Sequence, residues 1–350
     1  MRRGIFFAAL LTVLSASPAL AAPVTVSGQI WGDFSNNTGL NSARFYGRPM
    51  GLGYNAFNIN RAYITTSARF DPQWSALLTA DANANSGATT GQNYFLKYAY
   101  LQADSPLTGV DYVRMGLVPT PWYPFEAEYW RYGFQSLDIA TKQLGMTTSA
   151  FGIMATGGAN RFHYDLGLFD LPYAFDANNL PVRSSASYKL PVASSNDRKN
   201  IQARIGIDLA PGLSVSGLYS YYRPVGLERM DALVSLIGYK SENFTLVEEY
   251  ATDWIKPSGG AEVNRRVWSA FGILGLGAFL DSLRPYDLVL RYDSVNPNAA
   301  VSKARYDEWI TGIGYRPAKG VNLLLSDSLR THEDGSPNEN IVALNYGLFF

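Results

Sequence analysis

His163 and Asp165 stand two positions apart, and an imidazole beside a carboxylate is the pair a general base requires. The spacing works against that chemistry. Same-face neighbours of an extended segment sit nearly 7 Å apart, at about 3.3 Å per residue, and no serine stands out as a nucleophile. The chain has no cysteine, which removes thiolate nucleophiles, disulfides, cysteine metal sites and c-type haem attachment together. Two histidines, His163 and His332, are too few for a histidine-rich metal site. No cofactor is implied, a barrel hydrolase is the weakest reading, and the chain is expected not to be an enzyme. Nucleic acid is not an expected partner either, because 29 Lys and Arg balance 29 Asp and Glu.

What remains is a set of charges spaced along segments that alternate apolar and polar residues. Ile201, Ala203, Ile205, Ile207 and Leu209 alternate with Gln202, Arg204, Gly206 and Asp208. Phe162, Tyr164, Leu166 and Leu168 oppose His163 and Asp165. Tyr286, Leu288, Leu290 and Tyr292 oppose Asp287, Arg291 and Asp293. The last eleven residues repeat the pattern, with Val342, Leu344, Tyr346, Leu348 and Phe350 on one face and Asn340, Ala343 and Asn345 near or on the other. That stretch has the length of a membrane-crossing strand, about 9–11 residues. An apolar edge left unpaired invites aggregation, and a closed barrel pairs the last strand with the first.

Sixteen strand candidates follow from this period: 24–34, 57–70, 74–82, 95–103, 112–118, 146–155, 161–170, 201–209, 213–223, 230–240, 244–252, 266–279, 286–294, 308–316, 321–330 and 340–350. Their connections alternate in length. Asp71-Pro72-Gln73, Ala210-Pro211-Gly212 and Ser241-Glu242-Asn243 are tight turns, whereas 35–56, 119–145 and 171–200 are long. Short turns on one rim and long loops on the other mark an outer-membrane barrel. A soluble sandwich or propeller would not alternate so regularly, and no repeat of about 40–50 residues is visible. The expected fold is all-β, a transmembrane antiparallel barrel of about sixteen strands with short periplasmic turns and long extracellular loops. An even strand number puts both termini on the periplasmic side.

The N-terminus gives the address. Arg2 and Arg3 precede an apolar run from Ile5 to Leu14, and Ala19-Leu20-Ala21 fits a small-x-small cleavage site. Residues 1–21 therefore read as a signal peptide and 22–350 as one barrel domain in the outer membrane of a Gram-negative bacterium. Without Arg2 and Arg3 the balance is 27 basic against 29 acidic residues, a net of −2. With 23 Tyr, 32 Gly and 14% aromatics, the composition suits a barrel that is apolar outside and wet inside. Beyond the leader, no apolar stretch approaches the roughly 18 residues of a membrane helix.

In such a barrel a mid-strand charge belongs inside, since Arg or Lys facing lipid at mid-depth costs about 2–4 kcal/mol. Arg61, Arg69, Lys97, Arg114, Arg204 and Arg291 are expected to line the lumen, as are Asp81, Asp165, Asp208, Glu249, Asp287 and Asp293. Pairing across strands is the ordinary use of such charges, and both roles can hold together. The loop 119–145 stands apart. Pro119, Pro121 and Pro124 stiffen it, and Trp122, Tyr123, Phe125, Tyr129, Trp130 and Tyr132 are too many aromatics for a loop bathed in water. Folded inward it would narrow the pore, with Glu126, Glu128 and Arg131 in a charged ring that sets selectivity. The alternative is packing on the outer rim or on a neighbouring subunit.

Three stretches resemble one known family. Phe57-Asn58-Ile59-Asn60-Arg61-Ala62-Tyr63-Ile64 resembles an early strand of the phosphate-selective porin O and P family. Leu96–Leu101, then Val113–Pro119, resemble its next strands and the entry to its third loop, and the tail from Gly312 to Phe350 is similar as well. The resemblance implies a sixteen-stranded porin, commonly a homotrimer, with the third loop inside and Arg61, Lys97 and Arg114 lining the pore. That family's phosphate selectivity depends on an arginine ladder and a lysine cluster. Here the lumen candidates mix both signs, so the expected role is passive diffusion of small hydrophilic solutes or ions, with outer-membrane lipid as the other partner. The alternative is a non-conducting outer-membrane barrel, a structural sleeve or a surface-binding protein.

Overall fold

The computed structural model describes residues 22–45, 48–84, 92–170, 174–175, 181–182, 199–223 and 227–350. The leader, 1–21, lies outside the described residues, as does most of the expected loop at 171–200.

Sixteen antiparallel strands close into one barrel. They are β1 Val24–Asn37, β2 Asn55–Arg69, β3 Trp74–Ala84, β4 Gln92–Leu107, β5 Val110–Pro119, β6 Ser149–Ala159, β7 Phe162–Asp170 and β8 Asn200–Ala210. The second half comprises β9 Leu213–Tyr222, β10 Leu227–Lys240, β11 Phe244–Pro257, β12 Val263–Gly275, β13 Tyr286–Asn296, β14 Tyr306–Ala318, β15 Val321–His332 and β16 Glu339–Phe349. Every strand pairs with its neighbour in sequence, and β16 returns to β1 in a register from Gln29 opposite Phe349 to Asn37 opposite Ile341. Gly28 and Phe350 then exchange both backbone hydrogen bonds, at 2.8 and 3.0 Å. The fold class read from the sequence is therefore the fold the chain adopts.

The alternation has a direct physical consequence. In β8, Ile201 and Ile205 are exposed while Gln202 and Arg204 are buried. In β13, Leu288 and Leu290 are exposed while Asp287, Arg291 and Asp293 are fully buried. An apolar outer face with a polar inner face suits lipid outside and is the reverse of a soluble core. Aromatic side chains gather towards both ends of the outer face. Trp268, Tyr292 and Trp309 pack together near the loop rim. Tyr286 stacks on Tyr315, and Tyr239 meets Phe244, near the turn rim.

Several boundaries differ from the sequence reading, two of them for a local reason. The strand expected at 266–279 ends at Gly275, and 276–285 carries two 3-10 turns, Leu276–Ala278 and Asp281–Leu283. The apolar run Leu276–Phe279 continues the pattern, but the chain has already left the sheet. The strand expected at 146–155 is Ser149–Ala159, because Met146 belongs to the long connection. That connection, 120–148, and the hairpin Ala43–Phe45 with Arg48–Met50 fill part of the lumen. Ala43 and Met50 pack against Ile341 and Ala343 of β16.

Candidate functional site

The connection between β5 and β6 is built to hold a shape. Pro121 stands at the start of a short helix, α1 (Trp122–Ala127), with φ −60° already set by its ring. Asp138 caps a second short helix, α2 (Ile139–Gln143), its side chain accepting a hydrogen bond from the Thr141 amide at 2.7 Å. Between the helices the aromatics pack on each other. Trp122 meets Phe125, Phe125 meets Tyr129, and Trp130 and Phe134 both meet Tyr132, all edge-on at 5.4–6.1 Å.

This connection then bonds to strands far from its own ends. Trp122 Nε1 donates to Glu249 on β11 at 3.0 Å, and Tyr132 OH donates to Asp287 on β13 at 2.6 Å. Gln135 reaches Ser328 on β15 at 3.1 Å, and Lys142 reaches Glu308 on β14 at 2.9 Å. Tyr129 bonds Ser214 on β9, and Arg265 on β12 donates to the Leu144 carbonyl at 2.7 Å. Only the lumen is common to β9, β11, β12, β13, β14 and β15. The connection therefore lies inside the barrel, laid against that wall. Its deepest stretch, Glu128–Phe134, approaches the turn rim, where Lys240 donates to the Glu128 carbonyl at 2.6 Å. Phe134 there packs beside Gly347.

The residues singled out in the sequence fall into three groups. Arg61 and Arg114 sit on the wall that the connection leaves uncovered, and Lys97 is buried on the same wall where the connection meets it. Arg61 pairs with Asp81 at 2.5 Å, and Arg114 Nε donates to Gln102 at 2.7 Å. Lys97 bonds Thr148 and lies 5.5–5.6 Å from the rings of Tyr98 and Tyr123. Arg204, Asp165, Arg291 and Glu126 are behind the connection. Arg204 pairs with Asp165 at 2.5 Å under the ring of Phe125. Arg291 has no exposed surface, pairs with Asp293 at 2.8 Å and lies under Trp130. Asp208, half-buried, and Glu128, exposed, stand at the turn rim.

Glu126, Glu128 and Arg131 do not share one ring. Glu126 has no exposed surface and lies beside Glu249, Asp138 and Arg291. Burial, reinforced by the charges of Glu249 and Asp138, holds its carboxyl well above the usual carboxylate range, and Arg291 opposes that shift. Arg131 bridges to Asp287 at 2.9 Å. Nor is the pairing of His163 with Asp165 made: His163 Nε2 lies 2.8 Å from Asp208, across the β7–β8 pair. Among the described residues no group of three His, Asp or Glu side chains could hold a metal ion.

Sequence reasoning passed over Arg265, Lys142, Glu308 and Arg330, which tie the far end of the connection to the wall. Lys142 and Arg330 both pair with Glu308, at 2.9 and 3.2 Å. Glu308 has the inward parity of Ile310, which was a readable signal; Arg265 fell one residue outside its expected strand.

Between the connection and β1–β5 a cavity of about 450 Å³ remains. Trp31, Tyr63, Thr65, Thr79, Tyr98 and Arg114 line it from the wall, and Tyr123, Trp130, Arg131 and Phe134 from the connection.

No family model and no curated protein sequence matches the chain. Solved structures do. The chain is similar to an anion-selective porin from Comamonas acidovorans, with 13% identity and a TM-score of 0.65 over 94% of this chain and all of that one. It is similar to the outer membrane channel DcaP of Acinetobacter baumannii, with 13% identity and a TM-score of 0.62 over 94% and 97%. It is similar also to the trimer form of OmpT, an outer membrane protein of Vibrio cholerae, with 9% identity and a TM-score of 0.62 over 94% and 100%. At these identities the likeness is one of fold.

Proposed function

We propose that this chain is an outer-membrane channel for the passive diffusion of small hydrophilic solutes or ions, and not an enzyme. The observation that carries the reading is a sealed sixteen-stranded wall whose inner connection lies against one side and leaves a cavity on the other. Barrels of this strand number are wide enough for an aqueous passage. The apolar exterior and its aromatic rows suit insertion in the outer membrane of a Gram-negative bacterium, with 1–21 as the leader that takes it there. Selectivity falls to the groups beside the cavity: Arg61, Lys97 and Arg114 on the wall and Arg131 on the connection. Glu126, Arg204, Asp165 and Arg291 act one layer back by holding the connection in place, and Glu128 and Asp208 meet solutes at the turn rim. A homotrimer is the proposed assembly, supported by the trimer form of the OmpT relative. The finer link to the phosphate-selective porin O and P family rests on the short segments quoted above.

Planar-bilayer recording tests this directly. Purified protein is expected to give stepwise, ohmic openings. Silent bilayers from correctly folded barrel would discard the channel and leave a non-conducting sleeve. In a salt gradient, Arg131→Ala should move the reversal potential towards cation preference and Glu128→Ala towards anion preference. If both variants leave it unchanged, this connection does not set selectivity.

A further inference from the structure

The uncovered cavity is more than a gap, because rings line it from both sides. Trp31 and Tyr63 pack edge-on at 5.5 Å on the wall. Tyr98 on the wall and Tyr123 on the connection flank the Lys97 ammonium. Trp130 and Phe134, both almost fully buried, close the connection's side. Planar rings favour edge-on or offset contact with another ring, worth about 0.5–1.5 kcal/mol per pair beyond the area they bury.

The polar atoms set among these rings are mostly donors. The Arg114 guanidinium lies 4.1 Å from the Tyr112 ring and 5.0 Å from the Tyr100 ring, with Nε on Gln102. Among the described residues it has no carboxylate partner, unlike Arg61 on Asp81 and Arg131 on Asp287. The indole N–H of Trp31 and the Nε of Arg131 are buried in the same lining without an acceptor. Two acids lie nearby in the connection: Asp138 caps α2 through one carboxylate oxygen, and Glu126 is packed against Glu249 with no exposed surface, its carboxyl raised above the usual range chiefly by burial. An anion needs donors and an uncompensated cation, and the planar fork of arginine suits a carboxylate.

We propose that this cavity is a binding subsite for small aromatic carboxylates, the ring held among Tyr63, Tyr98, Tyr123 and Trp130 and the carboxylate on Arg114. Its volume of about 450 Å³ lies in the range of small-molecule sites, about 300–1,000 Å³, and suits a single-ring acid. The proposal rests on the channel reading and names a solute class for it.

Two measurements separate the two ideas. The first is equilibrium dialysis of labelled benzoate against the full, folded chain in detergent, which needs no conductance. Saturable binding is expected, with acetate and glucose failing to compete. Arg114→Gln should weaken it at least tenfold, and Arg114→Lys should fall between, since it keeps the charge and loses the fork. The heat-modifiable gel mobility of a folded barrel shows that each variant has folded; should Arg114→Gln not fold, Tyr123→Leu on the connection carries the same expectation. The second is bilayer current in potassium chloride, where benzoate should reduce the current saturably and acetate should not. Saturable benzoate binding with silent bilayers would overturn the channel and keep the subsite. Ohmic openings with benzoate and acetate indistinguishable in both assays would overturn the subsite and keep the channel. Equal competition by glucose would overturn the assigned solute class.

Discussion

Glu126 shows how much of this site depends on a single proton. Its carboxyl has no exposed surface and faces Glu249 from β11, Asp138 from its own connection and Arg291 from β13, itself tied to Asp293. Two buried acids side by side cannot both ionise cheaply. Because the folded-state pKa is raised, the native protein holds a proton that the unfolded chain releases near pH 4.3. The stability contributed is therefore complete below that pH and declines as pH rises towards the folded value. The anchoring of the connection should therefore weaken as pH rises above about 4.3. Glu126→Gln keeps the shape and removes the titration. Its thermal transition is expected to exceed that of the unaltered chain at alkaline pH and to vary less between pH 5 and 9. A variant with the same pH slope as the unaltered chain would put the titration elsewhere. Glu126 was visible in the sequence as a loop charge. Its burial was not, because the partner that encloses it is on β11, more than a hundred residues along the chain.

At the scale of elements, what could be read ahead of the structure depended on how local its cause was. Asp71-Pro72-Gln73, Ala210-Pro211-Gly212 and Ser241-Glu242-Asn243 were legible as turns because Pro, Gly, Asn and Asp each have a backbone reason to be there. All sixteen strands were legible because one apolar face repeats every second residue. The ends of β12 and β6 were misplaced because apolar residues also pack in 3-10 turns and in the inner connection, where period two says nothing. Gly320 shows the strength of the local cause. It forms the β14–β15 turn with φ +78°, and a Cβ there would stand 2.2 Å from the Phe349 carbonyl oxygen. Its own carbonyl accepts from the Phe349 amide at 2.8 Å, so the turn also fixes the end of β16. Gly320→Val should cost about 1–3 kcal/mol for the forced backbone conformation, with more from the clash. The reading is a lower urea midpoint for the folded barrel; an unchanged midpoint would mean the turn relaxes without disturbing β16.

For the whole molecule, the decisive element is the seam between β1 and β16. Fourteen of the sixteen strands have both neighbours close in sequence, whereas this pair joins residues more than three hundred positions apart. The seam has no long-range alternative: without it, β1 and β16 would each present a row of unpaired backbone groups. In lipid each such group costs several kcal/mol, since no water is there to bond it. The same closure gives every other strand an inside and an outside, and so sets the parity that puts Arg114 on the cavity and Leu344 on the outer face. Removing residues 339–350 should therefore do more than trim one strand. The truncated chain is expected to lack any heat-modifiable folded band after refolding in detergent and to aggregate through its two open edges. Leu344→Val keeps the backbone and the outward apolar surface, and should refold with normal mobility. A truncated chain that still folded to a compact, conducting species would mean that the wall can close on fifteen strands, and the inward and outward assignments made from this seam would have to be redrawn.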